Sequence, residues 1–93
     1  MNYPFSVLLD PTTTPVVDLS FAAEEHGATR TPEALAALLT LIDHADAVVR
    51  EGVVYGLSNY LANAVVRERL RLVATSDPSP GVRAAAADCN RAE

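Results

Sequence analysis

The histidines His26 and His44 are candidate metal ligands in this 93-residue sequence, and Ser58 and Cys89 are candidate nucleophiles. A metal site needs three or four ligands that converge, and these residues show no ligand spacing such as Cys-x-x-Cys. A nucleophile needs a neighbouring base and an orienting acid. The sequence therefore predicts no metal site and no cofactor.

Ser58 and Cys89 are the two candidate nucleophiles, and their surroundings argue against catalysis. Ser58 lies in Gly-Leu-Ser-Asn-Tyr, which lacks the second glycine of a nucleophile elbow and is expected within a helix. Cys89 lies near the end of the last predicted helix, where a buried or incidental thiol is expected. No glycine-rich phosphate loop is present. We therefore expect a protein that is not an enzyme and has no catalytic residue.

The charges of this acidic chain are distributed unevenly. Twelve acids and seven bases give a net charge of −5, and every base is an arginine. Residues 1–46 carry seven acids and one base, whereas residues 47–93 carry five acids and six bases. Without a basic patch, binding to nucleic acid is not expected. The acidic half either meets a basic partner or forms a solvated surface.

The sequence also bears on compartment. A single cysteine excludes an intrachain disulfide and fits a reducing interior. The first residues lack the basic region of a signal peptide, and their apolar run is broken at Asp10-Pro11. No apolar stretch approaches the roughly 18 residues that a membrane span needs. A cytoplasmic protein without membrane contact is expected.

Prolines and caps divide the chain into segments. Residues 1–15 contain Pro4, Pro11 and Pro15 and are predicted to be an extended arm. Residues 16–27 are predicted to be a capping helix that ends at a glycine. Four further helices are expected at about 32–43, 46–61, 64–75 and 79–91, within a single domain. Thr31 before Pro32 is the best helix start, because it offers an N-cap before a proline at the first helical position.

Two segments, residues 38–53 and 72–86, resemble each other. Each has an apolar helix end, an Asp, a short turn, Val-Arg and then small residues at helical spacing. Asp43 precedes Asp77 by 34 residues, and Arg50 precedes Arg83 by 33. The pattern resembles the HEAT repeat family, in particular the short bacterial HEAT-like repeats also found in phycobilisome lyases. The resemblance covers residues 31–91, about two repeats.

The resemblance implies an all-α fold of two HEAT-like helical hairpins, a short α-solenoid preceded by the arm and the capping helix. It implies a ladder of Asp and Arg side chains across the turns, formed by Asp43, Arg50, Asp77 and Arg83. These four residues are expected to be structural rather than partner-binding.

In such arrays the second helix of each hairpin lines the concave face. The resemblance therefore implies that Glu51, Tyr55 and Asn59 point outward and bind a partner; Tyr55 packed beneath the N-terminal arm is the alternative. Gly52 and Gly56 stand where the family usually has alanine. A close approach of a neighbouring helix would explain the two glycines. The alternative is that they are tolerated replacements of alanine without a packing role.

The predicted function is that of a non-catalytic protein-interaction module or small adaptor, which binds an unidentified protein through the concave face and the acidic half. One alternative is a small acidic inhibitor or nucleic-acid mimic from a mobile element. Another, by family analogy alone, is a lyase-like or chromophore-handling subunit. Because two repeats are few for an independent array, a homodimer is a further possibility.

Overall fold

The computed structural model describes residues 3–91, and within this range the backbone forms six α-helices and no strand. The helices are α1 (Ser6–Leu9), α2 (Val16–Gly27), α3 (Pro32–Leu41), α4 (Ala47–Leu57), α5 (Ala64–Ser76) and α6 (Pro80–Arg91). Two 3-10 turns, Pro11–Thr13 and Ser58–Tyr60, follow α1 and α4. The predicted all-α class is confirmed.

The helices form two layers. Helix α4 lies between α2 on one side and α6 on the other, so these three form one layer. Each of them pairs with the helix before it in the chain: α1 with α2, α3 with α4 and α5 with α6. Stacked HEAT-like hairpins are confirmed, but the pairing of α1 with α2 adds a third hairpin to the two that the sequence predicts.

Side-chain caps define where three helices begin. The Thr31 hydroxyl accepts a hydrogen bond from the backbone N–H of Ala34, as its position before Pro32 predicts. Asp46 caps α4 and Asn63 caps α5 in the same way. Each cap satisfies an amide that would otherwise lack a partner in the first helical turn.

The core between the layers consists of aliphatic side chains. The largest fully buried residues are all leucine or valine: Leu19, Leu38, Leu57, Leu70, Val49, Val53, Val54, Val66 and Val82. Buried alanines of α2, α3 and α6 fill the narrow spaces between helices. In the described part of the chain, no buried side-chain nitrogen or oxygen lacks a hydrogen bond.

The extended arm predicted for residues 1–15 is wrong for the part that the structure describes; residues 1 and 2 lie outside the described range. The segment contains α1 and the first 3-10 turn instead. Pro4 and Pro11 stand at or before the starts of these elements, where a proline is tolerated because no intrahelical N–H is needed. Leu8 on α1 is buried in the core.

The helix predicted at 46–61 is shorter than expected. Helix α4 ends at Leu57, and the chain tightens into the turn Ser58–Tyr60. Two local side-chain bonds close this end, from the Ser58 hydroxyl to the Tyr55 carbonyl and from the Asn59 amide to the Gly56 carbonyl. Ser and Asn bond to nearby carbonyls in this way when they end a helix.

Candidate interaction surface

Glycines bring α2 and α4 into backbone contact. A Cβ atom on Gly56 would lie 2.5 Å from the Ala23 carbonyl oxygen, and one on Gly52 would lie 2.5 Å from the Ser20 carbonyl oxygen. A Cβ atom on Gly27 would lie 2.5 Å from the Gly56 Cα. Real Cβ atoms do not approach so closely, which confirms the close approach inferred for Gly52 and Gly56. The paired positions also show that α2 and α4 run in the same direction.

This close approach places the solvent-facing sides of the two helices next to each other. On α2 the outward stripe is Val17, Phe21 and Glu24, which follow one another at helical spacing. On α4 it is Val48, Glu51 and Tyr55. We call these six residues the α2–α4 face. Phe21 is 54% exposed, and Val17, Val48 and Tyr55 are also exposed apolar or aromatic side chains.

Tyr55 lies at the centre of this layer with carboxylates on three helices around it. Partial burial raises the pKa of its hydroxyl, and the negative charges of Glu51, Asp88 and Glu24 raise it further. These residues belong to α4, α6 and α2 respectively, so the ring lies where the three helices meet. Its exposed fraction of 41% places it in solvent contact.

The other two predicted contact residues differ in their positions. Glu51 is half-buried and lies on the same side of α4 as Tyr55. Asn59 is half-buried in the 3-10 turn, and its amide donates to the Gly56 carbonyl at 3.1 Å. The structure therefore places Glu51 and Tyr55 together, whereas Asn59 closes the end of the helix.

A groove of about 570 Å³ adjoins the α2–α4 face, lined by Tyr3, Asp18, Phe21, Glu24 and Glu25. Tyr3 is held there by two hydrogen bonds: its backbone N–H donates to the Glu25 carboxylate at 2.7 Å, and its hydroxyl donates to Asp18 at 3.0 Å. Burial raises the pKa of the Tyr3 hydroxyl, and Asp18 and Glu25 add to that effect.

Sequence reasoning did not find the α2 half of this surface. The sequence predicted α2 to be a capping helix and not part of a contact surface. The signal was present in the sequence, since Val17, Phe21 and Glu24 recur at steps of four and three. Two exposed apolar residues at that spacing indicate a helix with a second face available for contact.

The predicted ladder is formed in part and connects α4 to the turn before α6. Arg50 donates from Nε and Nη2 to the Asp77 carboxylate, at 2.9 and 3.1 Å. Its Nη1 donates to the carbonyls of His44 and Ala45. Arg83 donates to the backbone carbonyl of Asp77 at 2.6 Å.

The first position of the ladder is different. The Asp43 carboxylate accepts from Arg69 on α5 at 2.7 Å, not from Arg50. Asp43 is 75% exposed in its side chain, and Arg69 is 34% exposed. The pair therefore lies at the surface, and Asp43 lies outside the buried part of the ladder.

The pKa of Asp77 reflects its position within the ladder. Burial alone would raise the pKa of this carboxyl. The hydrogen bonds from Arg50 and from the Ser79 backbone N–H, together with the charges of Arg50 and Arg83, outweigh burial and hold the pKa below its ordinary value. Asp77 is therefore an ionised structural anchor.

Of the residues that could do chemistry, Ser58 and Cys89 share a side-chain hydrogen bond, whereas His26 and His44 bond to backbone atoms elsewhere. His26 Nε2 is 2.6 Å from the Tyr3 carbonyl oxygen, and His44 Nδ1 accepts from the Asp46 backbone N–H at 3.0 Å. Cys89 is a buried free thiol whose pKa is raised mainly by burial. Among the residues that the structure describes, no three His, Cys, Asp or Glu side chains are placed to hold a metal ion.

None of the helices in the described range has the length and apolarity required to cross a membrane.

No match was found among curated proteins or among solved structures. Residues 11–89 match the family model described as HEAT repeats. The matched range begins within the first 3-10 turn and includes all of α2, which the sequence resemblance had left outside the repeats. The chain therefore belongs to the HEAT repeat family.

Proposed function

We propose that this chain is a non-catalytic protein-interaction module that binds a partner protein through the α2–α4 face. The observation that carries this proposal is a continuous surface of exposed apolar side chains with carboxylates around it. Phe21 and Tyr55 supply the aromatic contact area, and Glu24 and Glu51 supply the charge. Aromatic residues dominate the binding energy of many protein interfaces.

The polar groups elsewhere in the same layer support this assignment because they bond within the chain. Arg50 and Arg83 both bond to Asp77, and the Asn59 amide bonds to the helix end. These side chains stabilise the fold. Phe21 and Tyr55, in contrast, expose large areas that the fold does not use, and an exposed apolar patch of this kind is typical of an interaction site.

Affinity purification of the tagged chain, with paired variants, tests the proposal. A partner bound through the face is expected to be captured by the native chain and lost with the double variant Phe21→Ala, Tyr55→Ala. The control is Leu72→Ala, which removes an apolar side chain that is 50% exposed on α5. Circular dichroism checks that the helices remain. Equal capture by both variants would place the interaction elsewhere.

The same experiment separates an adaptor from an acidic nucleic-acid mimic. A mimic is expected to lose its captured partner when duplex DNA is added, since both would occupy the same basic groove. An adaptor is expected to keep its partner. Capture that competes with DNA would favour the mimic over the adaptor.

A further inference from the structure

Building on the proposed function, we propose that the α2–α4 face binds an amphipathic helix of a partner protein, with arginine or lysine flanking the apolar stripe of that helix. One cationic side chain of the partner enters the groove between Tyr3 and Phe21. The partner is thus a basic amphipathic helix, which is more specific than the surface alone.

The surface around the groove and the seam is acidic. Asp18, Glu24 and Glu25 lie at the groove, and Glu51 lies across the seam on α4. No arginine occurs in α2, and the side chain of the α4 arginine, Arg50, bonds to Asp77 away from the face. An acidic surface of this kind attracts a basic partner and repels an acidic one.

The exposed side chains of the surface form two parallel stripes. Val17, Phe21 and Glu24 repeat at one-turn spacing along α2, and Val48, Glu51 and Tyr55 do so along the parallel α4. The two stripes lie side by side because α2 and α4 are parallel and in contact. A third helix fits along two such stripes when its own apolar residues recur every three or four positions.

The groove combines aromatic side chains with carboxylates. Phe21 and Glu24 are both exposed at the groove, and an exposed aromatic ring can bind a cation at its face. The Tyr3 ring is held in place by Asp18 and Glu25 before any ligand arrives. A site fixed in advance loses little entropy on binding. An aromatic ring beside carboxylates suits a guanidinium or ammonium side chain.

A second copy of this chain is the other occupant to consider. Helix α5 carries Arg67, Arg69 and Arg71 and exposes Val65 and Leu72, so it has some of the required character. However, Arg69 pairs with Asp43, Arg71 pairs with Glu68, and Arg67 donates to the Leu61 carbonyl. Acids of the same chain therefore balance the charges of Arg69 and Arg71 and leave only that of Arg67, so a foreign helix with unpaired cationic side chains is the better fit.

Four fluorescent helical peptides test the inference by anisotropy titration with the full chain. They share one apolar stripe of leucine and alanine and differ only in their flanking residues, which are Arg, Lys, Gln or Glu. The Arg and Lys peptides are expected to bind at least about tenfold more tightly than the Gln peptide, with the Glu peptide weakest. Raising the salt concentration is expected to reduce this preference.

Variants of the protein locate the binding site. Phe21→Ala and Glu24→Gln are each expected to weaken binding of the Arg peptide several-fold. The matched control is Glu33→Gln, which removes another exposed carboxylate, from the start of α3, and is expected to leave binding unchanged. Circular dichroism of every variant confirms that the fold is retained.

The possible results distinguish the inference from the function on which it rests. Equal affinity for all four peptides, no binding of any peptide, or equal losses in Glu24→Gln and Glu33→Gln would overturn the inference. If a partner is still captured through Phe21 and Tyr55, the proposed function survives that result. Sedimentation that shows the mass of a dimer, abolished by Phe21→Ala, would replace the foreign helix with a second copy.

Discussion

Helix α4 has a neighbour on each side, and the two contacts are held by different forces. Towards α2, glycines allow the two backbones to touch, and Ser20 and Ala23 lie directly against Gly52 and Gly56. Towards the last hairpin, Arg50 of α4 forms an ion pair with the buried carboxylate of Asp77. We call the first contact the glycine seam and the second the arginine seam.

The difference shows how one architecture combines two kinds of specificity. The glycine seam depends on the absence of side-chain atoms, so it is sensitive to volume and insensitive to pH. The arginine seam depends on charge and hydrogen-bond geometry, so it is sensitive to pH. The glycine seam also aligns the α2–α4 face, so the proposed binding surface depends on it.

Deletion of residues 1–27 has the largest expected effect, because it removes the whole glycine seam. Leu19, Ala22 and Ala23 are fully buried in the core and would be lost. We expect loss of cooperative thermal unfolding, or aggregation, measured by circular dichroism and light scattering. An unchanged melting curve would contradict the view that α2 is an integral part of the array.

Substitution of Gly56 by valine has the next largest effect. The added atoms would meet the Ala23 carbonyl oxygen at a distance that backbone cannot relieve, and such overpacking costs about 1–3 kcal/mol or more. The control is Gly81→Ala, whose Cβ would meet only the Ser79 Oγ at 3.9 Å. Because alanine favours helix, that variant is expected to be stabilised by up to about 1 kcal/mol.

Chemical denaturation of both glycine variants measures these changes. The two are expected to move the free energy of unfolding in opposite directions. If Gly56→Val and Gly81→Ala shift it equally, the close approach of α2 and α4 is not the cause of any loss.

Much of the fold could be predicted from the sequence because its signals are local. The caps at Thr31, Asp46 and Asn63 and the Val-Arg repeats depend on neighbours within a few residues. The first 15 residues could not be predicted in this way, since their prolines are compatible both with an extended arm and with helix starts. In the helical form Leu8 is buried in the core, and this contact depends on residues far away in the sequence.

The candidate site could be predicted only in part. Tyr55 and Glu51 followed from the resemblance to HEAT repeats, because the second helix of a hairpin has a defined outward side. Phe21 did not, because its role depends on which helix lies beside α2. Asn59 was predicted within a helix that reaches residue 61, but α4 ends at Leu57, and no capping glycine marks that end in the sequence; its contact with a partner stays a prediction.

Removal of the arginine in the arginine seam is expected to cost about as much as the substitution of Gly56. Arg50→Met leaves the Asp77 carboxylate buried without its main partner, which costs about 3–5 kcal/mol for a fully buried pair and less at this site. The side chains of Arg50 and Asp77 are only 11% and 7% exposed. A double-mutant cycle with Asp77→Asn measures the coupling energy. A coupling energy near zero would show that the pair contributes only through shape.

The arginine seam is also expected to give stability a dependence on pH. The pKa of Asp77 is lowered in the folded chain, so the folded state favours the ionised carboxylate. Its contribution is complete well above the unfolded pKa of about 3.9 and is lost as the pH falls through the lower folded value. The melting midpoints of the native chain and of Asp77→Asn are expected to converge in acid. A constant difference between them at all pH values would contradict this.

The exposed pair of Arg69 and Asp43 supplies the smallest expected effect and the sharpest contrast. It has the same charges as the arginine seam and a similarly short separation, 2.7 Å, yet Asp43 is mostly in water. Solvent screening and side-chain entropy cancel most of the attraction, so Arg69→Gln is expected to change the free energy of unfolding by less than about 1 kcal/mol. Urea denaturation compares it with Arg50→Met. A loss from Arg69→Gln as large as that from Arg50→Met would mean that burial does not determine which charge pair stabilises this fold.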